Sequence, residues 1–287
     1  MVGGSVLVAF SAALGLNQVL VKLVNAGMEP AFQAGLRSGL AAFVVIGFAL
    51  WQRKRLSITD GSLAAGVFSG SLFGIEFLLL FKGLELTTVA RASVLFYTMP
   101  AWLAVMAHFW LGERLSAVRV LGLLLAIGGV ALALVRTDAG AAPGALAGDL
   151  MCLAASVLWA VIAVVLRATR LARSSPHMQL IYQLVVSAPI LMVAAIHAGE
   201  FITGMTPGLW GIFAFQVVGI VGVGFLSWMW VLSIYPAGAM ASFAFLAPVF
   251  GVLFGWLILD EALGLRIVGA LVLVGIGIVL VNRPAKA

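Results

Sequence analysis

Ten long apolar runs separated by short polar breaks cover almost all of this 287-residue chain. They fall at 4–24, 31–51, 62–81, 90–110, 118–135, 147–168, 178–197, 208–231, 238–259 and 265–281. Each is close to the ~20 residues a helix needs to cross the hydrocarbon of a bilayer. The runs are continuous, without the apolar–polar alternation of a barrel strand, so the pattern predicts an all-α membrane protein of ten transmembrane helices. Charges interrupt the pattern at Lys22, Arg37 and Glu76. The first run has no basic stretch before it and no small-residue cleavage pattern after it, and is read as a retained helix.

Composition excludes a water-soluble fold. The chain is 64% hydrophobic and 9% charged, against roughly a quarter charged residues in soluble domains. Its net charge of +6 would suit nucleic acid, but the basic residues sit between the runs, where membrane orientation accounts for them. An even number of spans puts both termini on one side. If that side is the cytoplasm, its loops hold ten basic residues, among them Arg53, Lys54, Arg119, Arg167, Arg170 and Arg173. The opposite loops hold five: Lys22, Lys82, Arg91, Arg136 and Arg266. The positive-inside rule therefore predicts N-in/C-in in an inner (plasma) membrane. Cys152 is the only cysteine, so neither an intrachain disulfide nor a cysteine metal cluster is expected. No metal or other cofactor is implied, and no GxxxxGK[ST] loop for ATP is present.

One motif occurs twice. Ala90-Arg91-Ala92-Ser93, Pro100 and Leu111-Gly112-Glu113 return as Ala239-Met240-Ala241-Ser242, Pro248 and Leu259-Asp260-Glu261. An offset of 148 relates Pro100 to Pro248, Glu113 to Glu261 and Gly129 to Gly277. An offset of 145 lays Ser11, Gly15, Gln18 and Lys22 on Ser156, Ala160, Ala163 and Arg167. The expected organisation is a five-helix repeat at 1-137, a linker at 138-146 around Gly140–Gly144, and a second repeat at 147-287. Five is odd, so the second copy enters the membrane inverted, as in carriers with alternating access.

The stretch Phe81-Lys82-Gly83-Leu84-Glu85-Leu86-Thr87-Thr88, leading into Ala-Arg-Ala-Ser, a proline and Leu-Gly-Glu-Arg-Leu, resembles the EamA domain, the repeat unit of the drug/metabolite transporter superfamily. The resemblance covers nearly the whole chain as two units. It implies a ten-helix carrier, most often an exporter of amino acids or other small metabolites.

Polar groups inside the spans are the candidate substrate-binding residues. Asn17 and Gln18 lie on the first span, Glu76 on the third, Ser93 and Tyr97 on the fourth, Trp159 on the sixth, Tyr182 and Gln183 on the seventh, and Ser242 on the ninth. Glu76 is the deepest acid, suited to a substrate ammonium or a coupling proton, with Lys82 or Arg37 as structural partners in the alternative. Arg37 is the corresponding candidate for a carboxylate, or a structural residue beside Gly35 and Gly39. Pro100 and Pro248 fall near the middle of their spans, where a proline frees the carbonyl four residues back, and both are candidate hinges. The glycine spacings 35/39, 66/70/74 and 251/255 predict close helix contacts, with dimerisation a second possibility.

The leading function is a secondary transporter exporting amino acids or similar small metabolites by alternating access, working as a monomer or homodimer on a small-molecule substrate. Alternatives are a passive pore or facilitator, or an intramembrane serine hydrolase using Ser69 or Ser71. The hydrolase lacks a visible nucleophile–base pairing, and the chain is not expected to be an enzyme.

Overall fold

A computed structural model describes residues 2–54, 56–113, 115–135, 143–224 and 246–282. The described residues form α1 (Val2–Asn25), α2 (Pro30–Trp51), α3 (Leu63–Leu86), α4 (Val89–Phe96), α5 (Met99–Trp110), α6 (Ala117–Leu134), α7 (Ala145–Ala168), α8 (Pro176–Ala198), α9 (Pro207–Phe215), α10 (Leu246–Leu259) and α11 (Leu265–Val281). A 3-10 turn at Arg170–Arg173 follows α7, and a π-helical stretch, Gln216–Val223, continues α9. Seven segments are long and apolar enough to cross a membrane, with α4 and α5 counted as one, Val89–Trp110. Three shorter apolar helices, Pro207–Val221, Leu246–Leu259 and Leu265–Val281, complete the set among the described residues.

Local sequence explains where these helices start. Glu29, Ser175 and Thr206 accept hydrogen bonds from the amides of Phe32, Met178 and Leu209, and each is followed by a proline at the first helical position. There the missing N–H leaves no hydrogen bond unmade. Thr88 and Ser116 cap α4 and α6 in the same way.

Three boundaries differ from the hydrophobic pattern. The third helix runs on to Leu86 rather than ending at 81, which brings Lys82 and Glu85 into its last turns. The fourth span is broken rather than kinked: α4 ends at Phe96, and Pro100 sits in the first turn of α5, where proline is well tolerated. The Thr98 hydroxyl donates to the carbonyl of Leu95 at 2.6 Å, satisfying a group the break would orphan. In the eighth, α-helical geometry gives way to π-helical at Gln216. Pro248 lies in α10; Ser242 and the repeated Ala239–Ser242 motif fall outside the described residues.

Packing pairs the two repeats. The most extensive contacts are α6 with α11, α3 with α7 and α8, α2 with α8, and α1 with α10. At the α6–α11 crossing a Cβ on Gly122 would lie 2.7 Å from the Gly277 carbonyl, and one on Gly277 would lie 2.6 Å from that of Gly122. Gly129 meets the Ala270 carbonyl at 2.9 Å. Under the 148-residue offset these two contacts are mates of one another. Small residues let helix backbones approach where lipid provides no hydrophobic drive for association. Gly35 packs on Leu191 and Met192, while Gly66, Gly70 and Gly74 pack on Tyr182, Val186 and Ser187 of α8, so both stripes are filled from within the chain.

Candidate functional site

The helix directions define two ends of the bundle. One holds the connections at 25–30, 86–89, 198–207 and 259–265; the other holds 51–63, 110–117 and 168–176. Glu261 dominates the first. Its carboxylate accepts the backbone amides of Val89 at 2.7 Å and Ala90 at 3.0 Å, so a residue of the second repeat caps the N-terminus of α4 in the first. A carboxylate there meets free N–H groups and the positive end of the helix dipole. Lys22 of α1 lies 3.4 Å from the same carboxylate and also donates to the Thr87 carbonyl. Only 7% of the Glu261 side chain is exposed.

This end is closed by further contacts. Met28 bridges to Ile202, and the Glu29 amide donates to the Phe201 carbonyl at 3.0 Å. Phe32 stacks on Phe201, and Glu29 pairs with Lys82 at 3.6 Å. Asp149, fully buried, binds Arg91 at 2.7 Å and accepts from the Thr87 hydroxyl at 2.5 Å. Sequence reading counted Arg91 among the loop charges opposite the termini; α4 carries it instead and buries it against Asp149 of α7.

At the opposite end Glu113 lies 3.5 Å from Arg167 of α7 and 3.8 Å from Arg119. Glu113 corresponds to Glu261 and Arg167 to Lys22 under the repeat offsets. Each repeat therefore supplies the acid for the other repeat's cation, once at each end. The two pairs are not in the same state, since Glu113 and Arg167 side chains are 45% and 55% exposed.

Between the two ends, the Ser93 hydroxyl donates to Gln18 Oε1 at 2.5 Å, tying α4 to α1. Gly251 of α10 lies against this bond, and a Cβ there would collide with Ser93 Oγ. Gln18 Nε2 and Asn17 Oδ1 are buried without a hydrogen-bond partner. Phe96 stacks on Trp159 at 5.0 Å, and Tyr97 meets the same indole edge-on at 6.3 Å. Across α1, Arg37 is 4% exposed, with its guanidinium carbon 4.6 and 4.7 Å from the ring centroids of Phe77 and Phe81. Glu76 is 2% exposed, and Gln33 and Gln216 are fully buried. Among the described residues, Glu76 Oε2 and the amide oxygen and nitrogen of both glutamines have no hydrogen-bond partner.

The chain matches the EamA-like transporter family over residues 2–135 and 146–283. It belongs to that family. This EamA-like transporter is a multi-pass membrane protein, similar along its length to transporters of bacteria. It is 26% identical to the uncharacterized transporter YoaV of Bacillus subtilis, over 92% of this chain and 91% of that protein. It is 30% identical to a probable amino-acid metabolite efflux pump of Escherichia coli, over 90% of this chain and 88% of the pump. A protein of known crystal structure, 23% identical, shares the fold with a TM-score of 0.67 over 97% of this chain and 94% of its own.

Of the residues singled out in the sequence of this EamA-like transporter, the structure gathers Gln18 with Ser93, and Tyr97 with Trp159. Asn17 is next to Gln18, and Glu76 is buried on the neighbouring α3. Tyr182 sits apart: its hydroxyl is 3.1 Å from Ser62 Oγ, which in turn donates to Asp60 at 2.5 Å. Those Ser62 bonds hold the Asp60 carboxyl below its usual range, with Ser174 adding to the effect. Gln183 is buried one residue further along α8. Ser71 donates to the Val67 carbonyl, and Ser69 Oγ has no hydrogen-bond partner among the described residues. An apolar cavity of about 80 Å³, lined by residues including Thr98, Trp102, Leu123 and Leu153, lies between α5, α6 and α7 rather than among the polar groups. Sequence reading missed Gln33, Gln216 and the acid–base pairing across repeats. The first two were legible as lone amides inside apolar runs, and the pairing was implicit in the two offsets.

Proposed function

We propose that this EamA-like transporter is a secondary carrier that exports amino acids or similar small metabolites across the inner membrane by alternating access. Ten spans form two inverted five-helix repeats, 1-137 and 147-287, with both termini in the cytoplasm. The Glu261 end then faces outward and the Glu113 end inward. The observation that carries this reading is the unequal state of the two repeat-related acid–base pairs. One is largely enclosed, with side chains 26% (Lys22) and 7% (Glu261) exposed, capped onto α4 and surrounded by closing contacts; the other is more exposed, at 55% (Arg167) and 45% (Glu113). In an inverted repeat the same interactions can form at either end, so exchanging the two states converts an inward-open carrier into an outward-open one. The break in the fourth span between Phe96 and Met99 is suited to such movement, since half-helices there can shift without breaking a continuous ladder. The kinship to a probable amino-acid metabolite efflux pump supports the choice of cargo.

Counterflow in liposomes tests the reading. Preloading with millimolar unlabelled amino acid is expected to drive saturable uptake of the labelled form. Flux that rises linearly with concentration and ignores the internal solute would instead establish a pore.

A further inference from the structure

Four polar residues, the buried Arg37, Glu76 and Gln216 and the half-buried Asn17, lie at coinciding depths. Asn17, Arg37 and Glu76 stand on α1, α2 and α3, and Gln216 opens the π-helical stretch that continues α9; α1 touches the other three segments, and α2 touches both α3 and the π-helical stretch. Counted from the helix ends on the Glu261 side, all four lie between about 10 and 15 Å into the bundle at 1.5 Å per residue. Half the ~30 Å hydrocarbon thickness is the same depth. Substrate sites of inverted-repeat carriers lie near that midplane.

Each of the four has unused bonding capacity. Asn17 Oδ1, Glu76 Oε2 and both amide atoms of Gln216 are buried and have no hydrogen-bond partner among the described residues. The Arg37 guanidinium lies against the faces of Phe77 and Phe81 and makes no hydrogen bond among the described residues. Buried polar groups are nearly always satisfied, and ionisable groups inside a membrane mark functional positions. Arg37 and Glu76 lie close enough to feel each other's charge, but they make no direct ion pair among the described residues, and Glu76 Oε2 remains open. Gln216 also begins the π-helical stretch, a departure from α-geometry that recurs at functional sites.

Resting on the carrier reading, we propose that these residues form a binding site for the zwitterionic headgroup of an α-amino acid. Arg37 receives the carboxylate through its forked N–H groups, Glu76 receives the ammonium, and Asn17 and Gln216 complete the hydrogen bonds. The rings of Phe77 and Phe81 hold Arg37 in place and exclude water. Such a site requires both charges on one substrate. An amine without a carboxylate leaves Arg37 unpaired, an acid without an amine leaves Glu76 unpaired, and an unmatched buried charge is rejected strongly.

Three probes that share a phenyl ring separate the charges: L-phenylalanine, phenethylamine and 3-phenylpropionate. Binding to the purified full chain is followed by tryptophan fluorescence or calorimetry. The wild type is expected to bind phenylalanine at least tenfold more tightly than either single-charge probe. Arg37→Gln is expected to bring phenylalanine down to the level of phenethylamine without weakening phenethylamine. Glu76→Gln is expected to bring it down to the level of 3-phenylpropionate. Equal wild-type binding of phenylalanine and either analogue overturns the proposal, and that comparison does not depend on any variant folding. Failure to bind phenylalanine, with saturable counterflow of a nucleoside or tetraethylammonium, overturns the zwitterion site and leaves the carrier standing. Absence of counterflow for every solute tried overturns both.

Discussion

At the scale of single residues, Glu261 shows how one side chain can couple two halves of a molecule. It satisfies two amides that α4 cannot pair internally, and it neutralises Lys22 on α1. Replacing a capping group typically costs about 1 kcal/mol, and loss of the charge at a helix N-terminus adds a few tenths more. In the proposed alternating-access cycle these contacts form only when this end is closed, so Glu261→Gln is expected to favour opening there about fivefold, the shift that ~1 kcal/mol of coupling produces. Met28 is fully buried in the seal, so a Met28→Cys reporter in a Cys152→Ala background reads the change. Its alkylation by a membrane-impermeant maleimide is expected to accelerate by that factor in the Glu261→Gln protein. An unchanged rate would mean that Glu261 stabilises the fold without favouring either state. Residues of this kind were only half legible in the sequence. Glu261 was marked by the repeat, but its partners lie up to 239 positions away, and a cap on another helix leaves no local pattern. Arg91 was counted as a loop charge for the same reason, since loop-edge charges look alike whether solvated or paired.

At the scale of elements, hydrophobic runs located the helices closely, while their ends followed capping chemistry. Thr-Val at 88–89 and Ser-Ala at 116–117 began helices where a hydroxyl was available to the third amide. The break between α4 and α5 was signalled by Pro100, but its position was not, because Thr98 supplies the bond that ends one helix before the proline opens the next. Where glycine stripes occur, the side facing a neighbour is what counts. Gly122 and Gly277 admit no Cβ without displacing the opposing backbone, whereas Gly128 and Gly275 on the same two helices meet nothing within 4 Å. Overpacking generally costs about 1–3 kcal/mol. Gly122→Leu and Gly277→Leu should therefore lower the melting temperature in detergent clearly, and Gly128→Leu and Gly275→Leu should leave it within error. Equal effects from all four would show that α6 and α11 do not form the pinned scaffold described above.

At the scale of the whole molecule, fold class and the doubled organisation were legible because composition, run length and repeat offsets agree. The transport family was legible through the resemblance of residues 81–88 and the motifs that follow them to the EamA repeat. The polar interior was legible as a set of residues and not as a place: Tyr182 was read as lining and instead anchors α8 to the Ser62 loop, while Gln216 went unnoticed. Distances between helices depend on which faces meet, and apolar runs this uniform carry little information about facing. Alternating access is the central claim, and cross-linking tests it most directly. In a Cys152→Ala background, Lys22→Cys with Glu261→Cys places two thiols at one end of the bundle, and Glu113→Cys with Arg167→Cys places two at the other. Each pair is joined by a cleavable thiol-reactive linker, and amino-acid counterflow is measured in liposomes. Either cross-link alone is expected to stop counterflow, and cleavage by reductant to restore it. Sustained counterflow with one or both ends locked would contradict the account.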